Sequence, residues 1–208
     1  MHLLLTDRLI CPRCGPGFGL VLRADRLEDR RVERGGLGCP NCREVYPVID
    51  GVADLRPPPR PELPPAPSVP VPEADELLRV QALLGIADGP GEVLLLGRAA
   101  RFAPGLARRV PGLELLAGGP VPDEPPSAET SGVSRLRLGE ATPFDSRALR
   151  GVVTEGEASR PRLREAARIV APGGRVVVME APAGTAEILM ASGLTVRLDE
   201  SGVVVAGR

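Results

Sequence analysis

Apolar positions in the second half of the chain alternate between the spacing of helices and the short runs of buried strands. Leucine, valine and isoleucine recur between Leu77 and Ile86 at helical spacing, which predicts a helix with one apolar face. Residues 92–97 (EVLLLG) form a short apolar run of the kind found in buried strands. Further helices are predicted over 102–110, 160–170 and 185–191, and further strands over 113–117, 133–138, 151–154, 175–180, 194–198 and 203–206. This alternation is typical of an α/β layered domain.

A proline-rich segment divides the chain. Residues 57–72 (PPPRPELPPAPSVPVP) contain too many prolines for a helix or a sheet to continue through them. They are predicted to be a linker between a small module at 1–56 and the α/β domain at 73–208. If fully extended, the linker would span roughly 50 Å at about 3.1 Å per residue. The small module can therefore reach either its own second domain or another molecule.

All four cysteines lie in the small module, as two Cys-x-x-Cys pairs: Cys11 with Cys14, and Cys39 with Cys42. Each pair allows a tight turn to present two sulfurs to one ion, and two such knuckles complete a tetrahedron. The four cysteines are therefore predicted to bind one zinc ion in a zinc ribbon. Four protein ligands leave no position for water, so the zinc is expected to be structural. Two redox-active dithiols are the alternative, although a thioredoxin-like site needs one pair on a βαβ unit.

Composition and charge limit the possible partners. The formal net charge is −1 and aromatic residues make up 2% of the chain, so neither a broad phosphate-binding surface nor base-stacking platforms are expected. Nucleic acid remains an alternative partner, because five arginines cluster in the small module. They are Arg13, Arg30, Arg31, Arg34 and Arg43. Neither a signal peptide nor a membrane span is predicted, which favours a cytoplasmic protein without a membrane partner. In that reducing compartment, paired cysteines are read as metal ligands sooner than as disulfides.

The segment after the second knuckle points to a family. Residues 46–52 (YPVIDGV) run from a strand with Tyr46 into an Asp-Gly turn. From residue 3 to 55 the chain resembles the small zinc-ribbon proteins that serve as activator subunits of tRNA, rRNA and protein methyltransferases, and their short bacterial relatives. The resemblance implies a partner-docking module whose apolar strand pairs with the sheet edge of a methyltransferase. The alternative is that residues 46–52 pack only the core of the ribbon itself.

One segment of the second domain combines a helical pattern, a Pro-Gly-Gly turn and an apolar strand, at residues 163–178 (LREAARIVAPGGRVVV). It is similar to the helix, turn and strand that follow the active site in class I S-adenosylmethionine-dependent methyltransferases, which the second domain therefore resembles. Residues 140–145 (EATPFD) resemble the segment before strand four, in which an acidic residue sits near the adenine. The resemblance implies a Rossmann-like, doubly wound sheet over residues 73–208.

The residues that would hold the cofactor depart from the family pattern. The family places an acidic residue and then Gly-x-Gly-x-Gly at its first strand, because glycine lets the backbone approach the ligand. Here Leu95 replaces the acid, Ala99 and Arg101 replace glycines, and only Gly97 remains. Residues 115–119 (LLAGG) also lack the carboxylate that grips the ribose. Each lost charge-assisted hydrogen bond costs about 1.5–3 kcal/mol, so S-adenosylmethionine binding is predicted to be weak or absent. No cofactor-binding residue is assigned.

Candidates for catalysis are few. His2 is the only histidine and is expected to be solvated. Glu155 and Glu157 follow a predicted strand where family members place substrate-contacting residues, although carboxylates in surface loops are usually solvated. No catalytic residue is assigned. The leading hypothesis is a zinc-binding scaffold, a pseudoenzyme that docks on itself or on a partner methyltransferase or other protein. The competing hypothesis is a divergent active methyltransferase that holds its cofactor by backbone contacts and Glu140.

Overall fold

The computed structural model describes residues 1–62, 69–119, 131–156 and 158–208. The strands are β1 (Ile10–Cys11), β2 (Gly15–Gly19), β3 (Val21–Glu28), β4 (Arg31–Gly38), β5 (Val45–Ile49), β6 (Val52–Asp54), β7 (Gly91–Gly97), β8 (Leu113–Gly118), β9 (Val133–Arg137), β10 (Leu149–Glu155), β11 (Val170–Met179), β12 (Thr195–Glu200) and β13 (Val203–Gly207). The helices are α1 (Ala74–Leu84), α2 (Ala103–Arg109), α3 (Arg160–Ile169) and α4 (Thr185–Ala191), and two 3-10 helices span Leu3–Arg8 and Arg98–Phe102. Below, residues 1–56 are called the ribbon and residues 73–208 the α/β domain.

The ribbon is an antiparallel meander in which β3, β4, β5 and β6 pair in order. A two-residue turn at Asp50 and Gly51 joins β5 to β6, and both residues have positive φ, at 49° and 74°. An Asp-Gly pair adopts this left-handed conformation readily, which closes a tight hairpin. Tyr46 of β5 is fully buried in the ribbon.

Strand order defines the α/β domain as a doubly wound sheet. The order is β12-β13-β11-β10-β7-β8-β9, with β9, β8, β7, β10 and β11 parallel and β13 antiparallel to β11. The chain builds outward from β7 through β8 to β9 and then crosses to β10 on the other side of β7. The topological switch point, where such sheets bind ligands, therefore lies between β7 and β10. The α/β prediction is confirmed.

Ribbon and α/β domain share one sheet. Strand β6 runs parallel to β9, with Val52 opposite Arg135 and Asp54 opposite Arg137. The backbone amide of Leu55 continues the ladder by donating to the Arg137 carbonyl at 2.9 Å. The sheet edge that the ribbon covers is thus the edge of its own α/β domain. The pairing strand is β6, beyond the Asp-Gly turn, whereas the tyrosine-containing β5 packs inside the ribbon.

Two hydrophobic clusters cover the two faces of the sheet. Along β7, Val93 and Leu95 face a cluster with α1 and α2, while Leu94 and Leu96 face a cluster with α3 and α4. The second cluster also contains the core of the ribbon. Ribbon and α/β domain are therefore continuous in their sheet and in one of their cores.

Local signals explain where the helices begin and end. The Glu73 amide donates to Glu76 at 3.1 Å before the first turn of α1, and Gly85 ends that helix in the left-handed conformation. Ser159 caps the amino end of α3, where Pro161 stands in the first turn. Among the helices that the structure describes, none combines the length and hydrophobicity needed to cross a bilayer.

Most predicted elements are found with small shifts at their ends, and two differ in kind. The helix predicted over 102–110 is preceded by a 3-10 helix over Arg98–Phe102. The last parallel strand starts early, because β11 runs through the Pro-Gly-Gly segment as an irregularity: Leu149 pairs with Val170, but Gly151 pairs with Arg175. The middle of the predicted linker, at 63–68, lies outside the described residues.

Candidate metal centre and the crevice at the strand ends

The fold brings the four cysteines together. Cys11 and Cys14 flank the turn from β1 to β2, and Cys39 and Cys42 follow β4. Their sulfur atoms all lie within 4.8 Å of one another, with 3.8 Å between Cys11 and Cys42 and 3.9 Å between Cys14 and Cys39. A tetrahedral zinc with bonds of about 2.3 Å would separate its sulfurs by about 3.8 Å. The cluster therefore has the donor set and the size of a structural zinc site.

Neighbouring groups favour the thiolate form of Cys11, the form in which a cysteine binds a metal. The Cys14 amide donates to the Cys11 sulfur at 3.4 Å, and the Asn41 side chain donates to the Cys14 sulfur at 3.4 Å. The hydroxyl of Tyr46 lies 3.6 Å from the Cys11 sulfur. Burial raises the pKa of Cys11, but the hydrogen bonds from Tyr46 and from backbone amides outweigh it and lower that pKa to about 7. Such outer contacts orient metal ligands.

A pair of charged side chains fills the switch point of the α/β sheet. Arg101 follows β7 and Glu155 ends β10. The Arg101 guanidinium donates to both Glu155 oxygens, at 3.0 and 3.3 Å, and to Glu76 at the start of α1 at 3.0 Å. Its guanidinium carbon also lies 4.3 Å from the centroid of the Phe102 ring. Glu155 is 5% exposed, so its charge depends on Arg101 for compensation.

A second arginine extends this cluster to the next strand. Arg98 donates to both oxygens of Glu180, at 2.9 and 3.2 Å, and lies 3.8 Å from Glu155. Glu180 directly follows β11. The two arginines thus connect the carboxyl ends of β7, β10 and β11 through side chains of the protein itself.

A cavity of about 220 Å³ adjoins the cluster. Ligand pockets usually measure about 300–1,000 Å³, so this cavity is small for a nucleoside-sized ligand. Its charged lining includes Glu76, Arg101, Glu155 and Glu180, which already pair with one another or with Arg98. Arg79 and Ser201 also line the cavity, so most, but not all, of its charged lining is already paired.

The remaining candidate residues are dispersed. Leu95 is fully buried towards α1 and α2, whereas Glu140 is exposed. His2 is half-buried, its backbone amide donates to the Ser134 hydroxyl at 2.8 Å, and burial lowers its pKa. Glu157 lies outside the described residues. Glu155 is not the solvated loop carboxylate that the sequence led us to expect.

Sequence reasoning missed the ion-pair cluster. The sequence contained one sign of this cluster: Arg101 stands at a position where the resembled family has glycine. The partners could not be read from the sequence, because Glu155 and Glu180 are 54 and 82 residues from the arginines they bind.

These observations define the class of protein. The strand order is that of a class I methyltransferase-type sheet, preceded by a small β-ribbon with a four-cysteine cluster. Residues 2–51 match the Trm112p-like protein family. The chain is therefore a Trm112-like domain fused to a methyltransferase-type domain. No curated protein matches the chain at a significant level.

Solved structures resemble the chain in fold. One chain of the complex between the Haloferax volcanii Trm112 methyltransferase activator and its methyltransferase partner is 19% identical with a TM-score of 0.46, and the match covers 62% of this chain and 70% of that one. A TehB-like S-adenosylmethionine-dependent methyltransferase from Corynebacterium glutamicum is 13% identical with a TM-score of 0.45, covering 64% and 85%. An Anabaena variabilis protein, described as a methyltransferase from an antibiotic biosynthesis pathway, is 17% identical with a TM-score of 0.39. That match covers 52% of this chain and 46% of the Anabaena protein, so the chain spans less than half of that protein.

Proposed function

We propose that this protein is a zinc-binding scaffold in which the Trm112-like ribbon is docked on its own methyltransferase-type domain, and that this domain does not transfer methyl groups. The observation that carries the proposal is the Arg101–Glu155 pair at the switch point between β7 and β10. Doubly wound sheets bind their ligands at this crevice. Here the crevice holds a pair of side chains that satisfy each other.

Two physical terms oppose cofactor binding. A ligand that entered the crevice would have to separate Arg101 from Glu155, and breaking a buried pair costs about 3–5 kcal/mol. The ligand would also lack the carboxylates that hold the ribose in the resembled family. Most charged side chains that line the adjoining cavity are already paired, so they offer a ligand little compensation for either term. The scaffold is therefore favoured over the divergent active methyltransferase.

In this proposal Cys11, Cys14, Cys39 and Cys42 hold one zinc ion. The ion would tie the β1–β2 turn to the segment between β4 and β5. With four thiolate ligands it has no open position, so it supplies folding energy and no Lewis acid for a reaction.

The ribbon's docking edge favours an intramolecular partner. Trm112-like domains bind methyltransferase partners. In this chain the ladder from β6 is already used by β9. A further protein that binds the scaffold would need another surface.

Calorimetric titration of S-adenosylmethionine into the zinc-loaded protein tests the proposal. We expect no heat of binding at millimolar ligand. A micromolar Kd would overturn the scaffold and support the active methyltransferase. The double variant R101A/E155Q separates the two opposing terms: binding regained by this variant would identify the ion pair as the barrier, and continued absence of binding would identify the missing carboxylates.

The metal is tested separately. Elemental analysis of the purified protein should give one zinc per chain, and the Cys14→Ser variant should lose it. Wild-type protein without metal and with four reactive thiols would contradict the zinc assignment.

A further inference from the structure

We propose that the ribbon serves as the structural layer that a crossover helix between β9 and β10 would otherwise supply, so that ribbon and α/β domain form one folding unit. This goes beyond a docked scaffold, because it makes the α/β domain depend on the ribbon for its own core. It also predicts that removal of zinc from the ribbon is felt in the strands of the α/β domain.

The connection from β9 to β10 lacks a helix. Parallel strands of one sheet are joined by crossover connections, which usually contain an α-helix that covers the sheet. The crossover from β7 to β8 contains α2, and that from β10 to β11 contains α3. Residues 138–148, between β9 and β10, contain none. One face of the sheet near β7, β8 and β9 is thus left without a covering helix from this connection.

Ribbon side chains cover that face. Leu5, Leu9 and Leu55 are at most 2% exposed and lie in the same buried cluster as the residues of β7, β8 and β9 that point to this side. Those sheet residues are Leu94, Leu96, Leu116 and Leu136. These four leucines would lose the part of their cover that the ribbon supplies if the ribbon were removed, and the β9–β10 connection has no helix to replace it.

The ribbon also holds the helix-free connection in place. Leu9 forms an isolated β-bridge with Phe144, and both side chains are buried. The Ile10 amide donates to the Pro143 carbonyl at 3.0 Å, and the Asp145 amide donates to the Arg8 carbonyl at 2.9 Å. The backbone of the connection therefore finds its hydrogen bonds in the ribbon.

Two glutamates on the sheet face are matched to two ribbon arginines. Glu92 of β7 and Glu114 of β8 stand directly opposite each other, an arrangement of like charges that destabilises a sheet. Arg8 lies 3.6 Å from Glu92, and Arg31 binds Glu114 through two contacts at 2.6 and 2.9 Å. The sheet face thus has the charge complementary to the ribbon.

The metal centre adjoins these contacts. Cys11 directly follows Ile10, whose amide binds the connection, and Leu9, which packs on Phe144. Loss of the ion would free the first knuckle and, with it, the ribbon strand that holds residues 142–145. The effect of the metal would therefore extend into the α/β domain.

Hydrogen exchange of the full chain tests the inference. Zinc-loaded protein and chelator-treated protein, with metal content measured for both, are compared by mass spectrometry. We expect peptides covering β7–β9 and residues 138–148 to lose protection at least about tenfold, together with the ribbon. Preserved protection in β7–β9 while the ribbon opens would overturn the inference, and it would leave the zinc assignment and the absence of cofactor binding intact.

Variants that keep every cysteine give a readout that does not depend on metal. In the zinc-loaded protein, Leu9→Ala and Phe144→Ala should each lower protection of β9, and their effects on stability should be less than additive. Leu189→Ala removes a buried side chain of α4 and is the matched control. It should lower stability without selectively lowering the protection of β9. The milder Phe144→Leu serves if Phe144→Ala does not fold. Additive effects with unchanged protection of β9 would overturn the inference.

Discussion

Arg31 and Glu114 form a bidentate ion pair that joins strand β4 of the ribbon to strand β8 of the α/β domain. Their nitrogen and oxygen atoms meet at 2.6 and 2.9 Å, and the side chains are only 22% and 15% exposed. Glu114 also accepts a hydrogen bond from the Ser134 hydroxyl at 2.6 Å. The contact is therefore a side-chain link between the two parts that is separate from the β6–β9 ladder.

Replacement of Arg31 by alanine should weaken the whole protein. Glu114 would keep its charge in a largely buried position without a cation, so we expect the free energy of unfolding to fall by about 2–3 kcal/mol. Urea denaturation followed by circular dichroism measures the change. Arg23→Ala is the control, because that side chain is 78% exposed and should change stability by less than about 0.5 kcal/mol. Equal effects of the two variants would contradict the role given to the pair.

Arg101 and Arg98 provide a matched comparison within the crevice. Arg101→Ala leaves Glu155 buried without its main partner, which should cost about 3–5 kcal/mol of unfolding free energy. Arg98→Ala removes a side chain that is 45% exposed and should cost at most about 1 kcal/mol. In the double variant R101M/E155L the buried charges are gone, so stability should recover above that of Arg101→Ala. A melting temperature that is lower for Arg98→Ala than for Arg101→Ala would refute this account.

Glu165 should contribute a pH-dependent part of the stability. Burial raises its pKa, but hydrogen bonds from Arg168 and Thr142 outweigh it, so that the pKa of this carboxyl is lowered in the folded protein. A lowered folded-state pKa stabilises the protein above the unfolded value of about 4.3 and loses that effect as the pH falls through the folded value. Glu165→Gln should therefore be less stable at pH 7 by about 1–3 kcal/mol, and the difference should close below about pH 4.

The measurement is a series of urea titrations from pH 3 to pH 7. Glu187→Gln, at an exposed position in α4, is the control and should follow the wild type throughout. A difference between wild type and Glu165→Gln that does not change with pH would show that the stabilisation is not electrostatic.

Gly35 is required by the close approach of β3 and β4. A Cβ atom at this position would overlap the Arg23 carbonyl oxygen and lie 3.1 Å from the Ala24 Cα atom. Because both contacts are backbone, no side chain can move away, and Gly35→Ala should cost about 1–3 kcal/mol. Gly17→Ala places its methyl group in open space and is the control. Indistinguishable melting temperatures for the two variants would disprove the steric argument.

The local sequence pattern was sufficient to predict the four-cysteine cluster and most elements of the α/β domain. The Cys-x-x-Cys spacing fixes two sulfurs per turn, and the apolar run of β7 alternates between two buried faces. What escaped prediction depends on pairs far apart in sequence, such as β6 with β9 and Arg101 with Glu155. Alternation within β6 says that it forms a strand, but only the assembled sheet determines its neighbour.

The absence of a crossover helix was equally hidden. The sequence of residues 138–148 does not reveal that a covering helix is missing, because the layer that takes its place comes from the ribbon, far away in sequence. Leu5 and Leu9 are apolar, but apolar residues at these positions would equally fit the core of an isolated ribbon. Their contact with the sheet became evident only in the structure, where the core of the ribbon and the core on one face of the α/β sheet form a single cluster.

Because β6 and β9 belong to one chain, a separate protein that binds the ribbon through β6 must compete with an intramolecular contact. When two binding partners belong to one chain and the connection between them can span both sites, each sees the other at an effective concentration in the millimolar range. A separate methyltransferase present at about micromolar concentration would have to bind the ribbon about a thousandfold more tightly to take it away. The β6–β9 contact of this chain is therefore protected against any partner that does not exceed that advantage.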